Sequence, residues 1–218
     1  MTNNSLLISA RRDKKDEFYT SYKDIEKEME CYFSYDPNVF RGKTVILPCD
    51  DYEQSNFTKY FDDNFDRFGL KRLISTCYVP EDGQTTIFDY DRKLRHGKIC
   101  IRDCDGTHKG ELKGNGDFRS DEVTELMSGS DIVVTNPPFS LFREFIGWCK
   151  AKSFVVMGNL NEVSCKEIFP LIRDDRMWFG PSIHSGDREF KVPDDYPLNT
   201  NGCRQDESGR YIRVKGIR

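Results

Sequence analysis

Short β-branched runs alternate with stretches of helical periodicity along most of this chain. Four apolar runs have the length and composition of buried strands: 43–47, 70–77, 131–135 and 153–158. Between the first two runs, Ser55 precedes a segment with aromatic residues at helical spacing, and Gly69 follows it. A strand, a helix and a second strand in this order predict a parallel, right-handed unit, so the pattern indicates an α/β fold.

Weaker patterns predict the remaining elements. Helical periodicity or capping residues indicate four further helices: 24–33, 120–127, 140–149 and 166–172. We expect Ser120 and Ser140 to cap the helices that they open. Alternating or apolar positions indicate four further strands: 85–89, 98–103, 177–180 and 210–215. We interpret 85–89 and 98–103 as a hairpin excursion within 84–110, and most of 181–209 as loop.

Length and composition favour one domain. The chain has 218 residues, of which 37% are hydrophobic and 32% charged, and this is enough for one α/β core but little for two. No apolar run approaches the ~20 residues of a membrane-spanning helix, and residues 1–10 lack the apolar core of a signal peptide. We therefore expect a single cytoplasmic domain over 1–218. Because the sequence ends directly after a strand-like segment, we expect the full-length protein to continue beyond it.

The cysteines predict neither a disulfide framework nor a metal centre. Eight cysteines are scattered without framework spacing, so most are expected to be reduced and buried. His96, Cys100, Cys104 and His108 recur at intervals of four, and each side chain can ligate a metal. Because this segment is strand-like, that spacing does not bring four ligands to one point, and no metal site is predicted.

The formal net charge of -4 argues against the basic surface that nucleic-acid-binding proteins usually present. Two clusters of basic residues lie within 11–15 and 92–98, and either can follow a phosphate backbone. Most charge clusters are solvated faces, and this alternative stays open for both.

The most informative motif is Asn136-Pro137-Pro138-Phe139, which follows the strand-like run ending at Thr135. Pro137 has a fixed φ and no amide hydrogen, so the carbonyl before it is expected to face outward together with the Asn136 side chain. These two oxygens can accept both hydrogens of a planar exocyclic amine, while Phe139 offers an aromatic face to a heterocyclic base. The motif therefore predicts a site for an amino group on a base.

An exocyclic amine of this kind is a poor nucleophile, because its lone pair is delocalised into the ring. Two fixed acceptors on its hydrogens favour a pyramidal nitrogen and stabilise the positive charge that develops during attack on a methyl donor. A carboxylate at this position would be a stronger acceptor than the amide. The amide therefore favours stabilisation of the developing positive charge over full abstraction of a proton. The motif thus suits methyl transfer without a metal or a covalent intermediate. An ordinary turn is the alternative, since Asn-Pro begins turns in any fold.

Three upstream segments have the residues and positions of a nucleoside site. Pro48-Cys49-Asp50 and Thr76-Cys77 end the two predicted parallel strands, where ligands bind in open α/β sheets. Asp117-Phe118 lies in a glycine-rich turn and can accept a hydrogen bond from an adenine amine beside an aromatic ring. Phe18-Tyr19 can cover a sulfonium, although packing at the domain edge explains two aromatics equally well.

These segments resemble the adenine-specific DNA methyltransferases of the EcoRI modification-methylase type. The resemblance extends over nearly the whole chain and rests on four segments: 15–20, 55–61, 116–120 and 131–142. It implies a Rossmann-like methyltransferase fold with a mostly parallel seven-stranded sheet and helices on both faces, and S-adenosylmethionine as cofactor. It also implies that Phe18-Tyr19-Thr20 contacts the methionine part, that Asp117-Phe118 contacts the adenine part, and that residues 136–139 form the catalytic turn. Residues 1–40 then cover the cofactor.

The chain departs from the usual methyltransferase pattern at two places. Its first strand ends in Pro48-Cys49-Asp50, where most methyltransferases have a glycine-rich turn. Its second ends in Thr76-Cys77-Tyr78, without the acidic residue that usually binds the ribose. The cofactor contacts expected for these segments therefore rest on their place in the fold.

The leading hypothesis is an enzyme of a restriction-modification or phage system that flips an adenine out of double-stranded DNA and methylates its amino nitrogen. The same fold can instead serve a guanine amine in ribosomal RNA or a glutamine amide in a protein. A third hypothesis, which the acidic balance favours, is a catalytically silent, truncated DNA-binding module. The predicted partners are DNA and S-adenosylmethionine, with no membrane and no obligate protein partner.

Overall fold

The computed structural model describes residues 20–79, 96–158 and 160–182, together with the backbone of three short strands farther along the chain. The chain divides into two compact units. The sheet unit comprises Phe40–Thr135 and Ala151–Val155, and the turn unit comprises Met1–Val39, Asn136–Lys150 and Val156–Arg218. The single domain expected from the sequence stays a prediction.

The described residues form short helices and strands. The α-helices are Tyr22–Tyr35 (α1), Asn56–Asp63 (α2), Phe65–Phe68 (α3), Asp121–Ser128 (α4), Phe142–Cys149 (α5) and Phe169–Arg173 (α6). The strands are Thr44–Leu47 (β1), Arg72–Cys77 (β2), Lys98–Asp103 (β3), Gly106–Glu111 (β4), Ile132–Thr135 (β5), Ser153–Val156 (β6), Phe190–Lys191 (β7), Cys203–Gln205 (β8) and Tyr211–Arg213 (β9). Two 3-10 helices lie at Phe139–Leu141 and Leu160–Ser164. Within the described ranges, none of the helices combines the length and apolar character that crossing a bilayer requires.

Six strands form the main sheet, in the order β4-β3-β2-β1-β5-β6. β1 pairs in parallel with β2 and with β5, which confirms the parallel unit predicted from the sequence. β3 pairs antiparallel with β2 on one side and with β4 on the other. The fold is therefore mixed α/β, and the described residues do not form the mostly parallel, seven-stranded sheet that the resemblance implied.

The hairpin at the edge of this sheet differs from the predicted one. β3 pairs along its length with β2 and β4, so 98–103 has no edge left for 85–89 and the predicted pairing is wrong. The segment 85–89 itself lies outside the described residues. β4 is exposed at every position and contains two glycines, so no hydrophobic alternation marks it as a strand.

The helical segment after β1 begins and ends where the sequence predicts. The Ser55 hydroxyl accepts hydrogen bonds from two amides of the first turn, at 3.1 and 3.4 Å, and Gly69 ends the segment with a φ of 63°. The structure has two helices here instead of one. The Asn64 side chain donates a hydrogen bond to the Tyr60 carbonyl at 2.9 Å, and this residue leaves helical geometry.

Aromatic packing holds these helices in the core of the sheet unit. The Phe40 ring meets Phe61 edge to face with centroids 5.2 Å apart, and stacks on Phe68 at 5.8 Å. β1 and β5 are buried at every position, as strands covered on both faces are. The carboxyl ends of β1, β2 and β5 are thereby fixed in the sheet unit.

Two helices of the turn unit differ in detail from the prediction. α1 begins at Tyr22, where the Ser21 hydroxyl accepts a hydrogen bond from the Asp24 amide at 3.2 Å, and it is longer than the predicted 24–33. α5 buries its predicted apolar face, but Ser140 does not cap it. A 3-10 turn precedes the helix instead, and in it the Leu141 amide donates to the Pro138 carbonyl at 2.9 Å.

The region after β6 was the least well predicted. Residues 177–180 are not a strand, because the amide of Met177 donates to the carbonyl of Leu171 in α6 and the chain continues as a loop. α6 begins at Phe169 instead of 166, with Pro170 in its first turn, where a missing amide hydrogen is not needed. β9 confirms a strand within 210–215, whereas β7 and β8 occur in the predicted loop and pair with it in a small antiparallel sheet.

Candidate active site

The carboxyl ends of β1 and β2 are joined by hydrogen bonds in the sheet unit. The Asp50 amide donates to the Thr76 carbonyl at 3.0 Å, and the Thr76 hydroxyl donates to the Pro48 carbonyl at 3.0 Å. Cys49 and Cys77 are both partly exposed. The structure therefore brings Pro48-Cys49-Asp50 and Thr76-Cys77 together at the edge of the sheet where α/β proteins bind ligands.

Asp50 links three elements of the sheet unit. Its side chain is only 4% exposed, and its carboxylate accepts hydrogen bonds of 2.5 Å from the hydroxyls of Ser55 and Thr135. Both bonds are short, so this side chain fixes the end of β1 to the start of α2 and to the last residue of β5. The geometry gives Asp50 a positioning role, and a direct contact of its carboxylate with a cofactor stays a prediction.

The glycine-rich turn at 114–118 packs against the end of β2. The Val79 amide donates to the Asn115 carbonyl at 2.8 Å, and the Gly97 amide donates to the Gly114 carbonyl at 2.8 Å. Gly116 has a φ of 81°, and a methyl group on its Cα would overlap the Cys77 carbonyl oxygen. Only glycine fits this close approach, which brings the predicted Asp117-Phe118 pair beside Thr76-Cys77.

Replacing Gly116 by alanine is expected to destabilise the sheet unit by about 2 kcal/mol or more, because the left-handed conformation and the backbone overlap both oppose a side chain. Gly114→Ala is the matched control, since Gly114 has open space around its Cα and no positive φ. Urea unfolding of both variants measures the difference. Equal free energies of unfolding for the two variants would contradict the packing described.

Arg119 engages the carboxylate of Asp117. Its Nε and Nη2 atoms donate to the two oxygens at 2.9 and 2.7 Å, and its guanidinium lies 5.5 Å from the Phe118 ring centroid. The same carboxylate also accepts a hydrogen bond from the Arg119 backbone amide at 3.0 Å. A contact of Asp117 with an adenine amine stays a prediction. Phe118 is 4% exposed and belongs to the core. Its predicted place beside an adenine ring stays a prediction.

The predicted catalytic turn lies in the turn unit, between β5 and α5. Asn136 is half-buried, and its amide oxygen is shielded from solvent, so this oxygen does not face outward as the sequence predicted. Pro137 and Pro138 are buried, and Phe139 is half-buried at the start of the 3-10 helix. The four residues thus form one rigid corner with an amide and an aromatic ring at its two ends.

The N-terminal cofactor segment is described only at its last residue. Thr20 belongs to the turn unit and is 4% exposed. Phe18 and Tyr19 lie outside the described residues, so their predicted contact with the methionine part stays a prediction.

Sequence reasoning missed the residues that position the predicted ones. Ser55 is recognisable as a helix cap, but its bond to Asp50 depends on the fold. Thr135 ends a β-branched run and carries no signal of its own. The bidentate pair of Arg119 and Asp117, two residues apart, is the kind of local contact that the sequence does offer.

Comparison with known proteins identifies the family. The family described as "Adenine-specific methyltransferase EcoRI" matches residues 6–218. The type II methyltransferase M.EcoRI of Escherichia coli is 40% identical over 218 residues, which cover 96% of this chain and 65% of that protein. M.MpnI of Mycoplasma pneumoniae is 36% identical over 215 residues, which cover 95% of this chain and 61% of that protein. M.MgeORF184P of Mycoplasma genitalium is 36% identical over 191 residues, which cover 87% of this chain and 55% of that protein.

This chain therefore spans less than two thirds of the length of these curated relatives. No solved structure matches it. The family match includes the glycine-rich turn, the carboxyl edge of β1 and β2, and the Asn136 to Phe139 corner. The chain belongs to the EcoRI family of adenine-specific methyltransferases.

Proposed function

We propose that this chain carries the methyltransferase part of an enzyme that transfers a methyl group from S-adenosylmethionine to the exocyclic amine of an adenine in double-stranded DNA. We further propose that its mixed sheet is a variant of the Rossmann-like methyltransferase fold. Family membership supports both proposals. The observation that carries the function is the corner at Asn136: β5 ends in Thr135, which Asp50 holds, and the next residue is a half-buried asparagine before two buried prolines.

The residues at the carboxyl edge of the sheet unit fit a nucleoside-containing cofactor. Cys77, Tyr78, Asn115 and Asp117 are partly exposed there. They offer backbone groups, an amide and a carboxylate to the polar atoms of a nucleoside. We assign the adenine part to Asp117 and the ribose side to Pro48-Cys49-Asp50 and Thr76-Cys77, with residues 18–20 on the methionine part. When bound, S-adenosylmethionine supplies an electrophilic methyl group on a sulfonium.

The corner at Asn136 binds and activates the acceptor. The Asn136 side chain turns toward the base so that its amide oxygen, which is shielded in the structure, accepts one hydrogen of the adenine amine, and the carbonyl before Pro137 accepts the other. Phe139 stacks on the flipped base. As the nitrogen attacks, positive charge grows on it, and the two oxygens stabilise that charge. The Asn136 amide does not act as a base, so the proton of the methylated amine is released to water after methyl transfer.

Binding and transfer measured separately test this proposal. Titration of the protein with S-adenosylmethionine in a calorimeter is expected to show saturable binding, and methionine alone serves as the control. Incubation with unmodified DNA and labelled S-adenosylmethionine is then expected to place label in the DNA. Saturable binding without any transfer would point to a silent binding module, and no binding by a folded protein would reject the proposal.

A further inference from the structure

The loop between β1 and α2, residues 48–55, begins with Pro48-Cys49-Asp50, which we assign to the ribose side of the cofactor, and it contains no glycine. Two further acidic residues follow, Asp51 and Glu53, with side chains that are 16% and 54% exposed. Negative charges this close together repel each other, so the loop needs contacts from elsewhere in the fold to keep one conformation.

Asp51 organises this loop from within. Its carbonyl accepts hydrogen bonds from the amides of Gln54 and Ser55 at 3.2 and 2.8 Å. One oxygen of its carboxylate accepts from the Glu53 amide at 2.7 Å, which is a local turn that aspartate side chains favour. The other oxygen accepts a hydrogen bond from Lys98 of the β3-β4 hairpin at 3.2 Å. The conformation of the loop therefore depends on what holds Asp51.

Lys98, the first residue of β3, connects this loop to the end of β2. Its ammonium donates to the carboxylates of Asp51 and Glu53 at 3.2 Å each. The hydrogen bond to Glu53, followed by that to Asp51, holds the pKa of Lys98 well above its usual range, so the ammonium is charged at neutral pH. In the register of β2 and β3, Lys98 lies opposite Cys77. Lys98 thus adjoins both segments that we assign to the ribose side.

The Tyr52 ring adds a second contact between the loop and the hairpin. The ammonium of Lys109 on β4 lies 4.5 Å from the centroid of this ring, and the ammonium of Lys98 lies 5.8 Å from it. Both distances are within the range of cation–π attraction. Three consecutive residues of the loop, 51–53, therefore contact the hairpin.

Arg102 makes comparable contacts at the opposite end of α2. Its Nη1 atom donates to the backbone carbonyl and to the carboxylate of Asp62 at 2.7 and 2.8 Å, and its guanidinium lies 4.6 Å from the Phe65 ring centroid. Lys98 and Arg102 are four positions apart on β3, so their side chains project from the same face of the sheet. Lys98 holds the loop before α2, whereas Arg102 holds the residues at the end of this helix.

We propose that Lys98 is a positioning residue for S-adenosylmethionine, because its pairs with Asp51 and Glu53 fix the β1-α2 loop in the conformation that receives the ribose. The inference rests on the proposed function, which places the cofactor at this edge of the sheet. The role is indirect, since Lys98 acts through the loop and not on the cofactor. A loop that is ordered before binding costs less conformational entropy when the ligand arrives.

Replacing Lys98 by glutamine removes both ion pairs and keeps a long polar side chain. Partly exposed pairs contribute modestly, so the affinity for S-adenosylmethionine is expected to fall about three- to tenfold. Lys98→Arg keeps a cation with several donors for the two carboxylates and is expected to restore most of the affinity. Calorimetric titration of the wild type and both variants measures these differences. Equal affinities for Lys98→Arg and Lys98→Gln would contradict a role for the charge at this position.

Arg102→Gln is the matched control for a loss of stability. It removes a cation from the same strand and the same face, so urea unfolding is expected to show a loss of stability comparable to that of Lys98→Gln. Its affinity for S-adenosylmethionine is expected to stay at the wild-type value, because Arg102 does not contact the loop before α2. Equal weakening of cofactor binding by the two variants would mean that Lys98 serves the fold alone, and the proposal would fail.

S-adenosylhomocysteine separates positioning from a direct effect of charge, because it has the same nucleoside but no sulfonium. Lys98→Gln leaves two carboxylates uncompensated, and charge alone would then favour the cationic S-adenosylmethionine. Positioning predicts instead that both compounds bind more weakly by the same factor. No binding of either compound by the folded wild type would reject the proposed function itself. Normal binding by the wild type, with unchanged affinity in Lys98→Gln or a change confined to S-adenosylmethionine, would overturn the role of Lys98 alone.

Discussion

Replacing Asn136 by alanine is expected to lower the rate of methyl transfer by about 10² to 10³-fold, the usual cost of removing one preorganised group that stabilises transition-state charge. The two prolines after Asn136 keep the corner rigid, so the fold of the turn and the binding of S-adenosylmethionine are expected to change little. Single-turnover transfer of labelled methyl to DNA measures the effect, and calorimetry checks cofactor binding.

Asn136→Asp provides the comparison for this variant. A carboxylate still accepts a hydrogen bond from the amine, so Asn136→Asp is expected to retain much more activity than Asn136→Ala. If the alanine variant transferred methyl groups as fast as the wild type, the role assigned to the Asn136 amide would be wrong. If both variants lost the cofactor as well, Asn136 would serve cofactor binding and not the acceptor.

Replacing Asp50 by alanine is expected to destabilise the protein by about 3 kcal/mol, because it leaves the buried hydroxyls of Ser55 and Thr135 without their acceptor. Methyl transfer is expected to fall too, since Thr135 immediately precedes Asn136. Guanidinium unfolding measures the first effect, and a transfer assay at a temperature where the variant stays folded measures the second.

Two further variants serve as controls for Asp50→Ala. Asp50→Asn keeps one acceptor oxygen, and a hydroxyl can rotate to accept from the new amide group, so it is expected to cost less than Asp50→Ala. Asp66→Ala removes a carboxylate that is 92% exposed and is expected to have little effect. Equal stability of Asp50→Ala and Asp66→Ala would show that the bonds of Asp50 do not hold the three elements together.

Elements whose signals are local were predictable. The side chains of Ser55 and Ser120 cap the first turns of helices, as predicted. Gly69 ends a helix in a left-handed conformation, also as predicted. The buried strands β1 and β5 are β-branched runs too short for helices, and they were found for that reason. The corner at Asn136 to Phe139 was recognisable because two prolines leave the chain few conformations.

Elements that depend on contacts between residues far apart in the sequence were not predictable. β4 is exposed along its length and exists through its pairing with β3, which the pattern of apolar residues does not encode. Residues 177–180 have the apolar character of a strand, yet Trp178 is 72% exposed and the amide of Met177 donates a hydrogen bond to Leu171 in α6. The role of Asp50 depends on Thr135, 85 positions away, so no local reading reveals it.

We propose that the Asn136 corner holds an adenine amine for methylation. Digestion of the methylated DNA to nucleosides, followed by mass and chromatographic comparison with standards, tests it most directly. All transferred label is expected to appear as N6-methyladenine, and Asn136→Ala is expected to remove it. Label on a ring nitrogen or carbon of any base, or on protein or RNA with none in DNA, would contradict it.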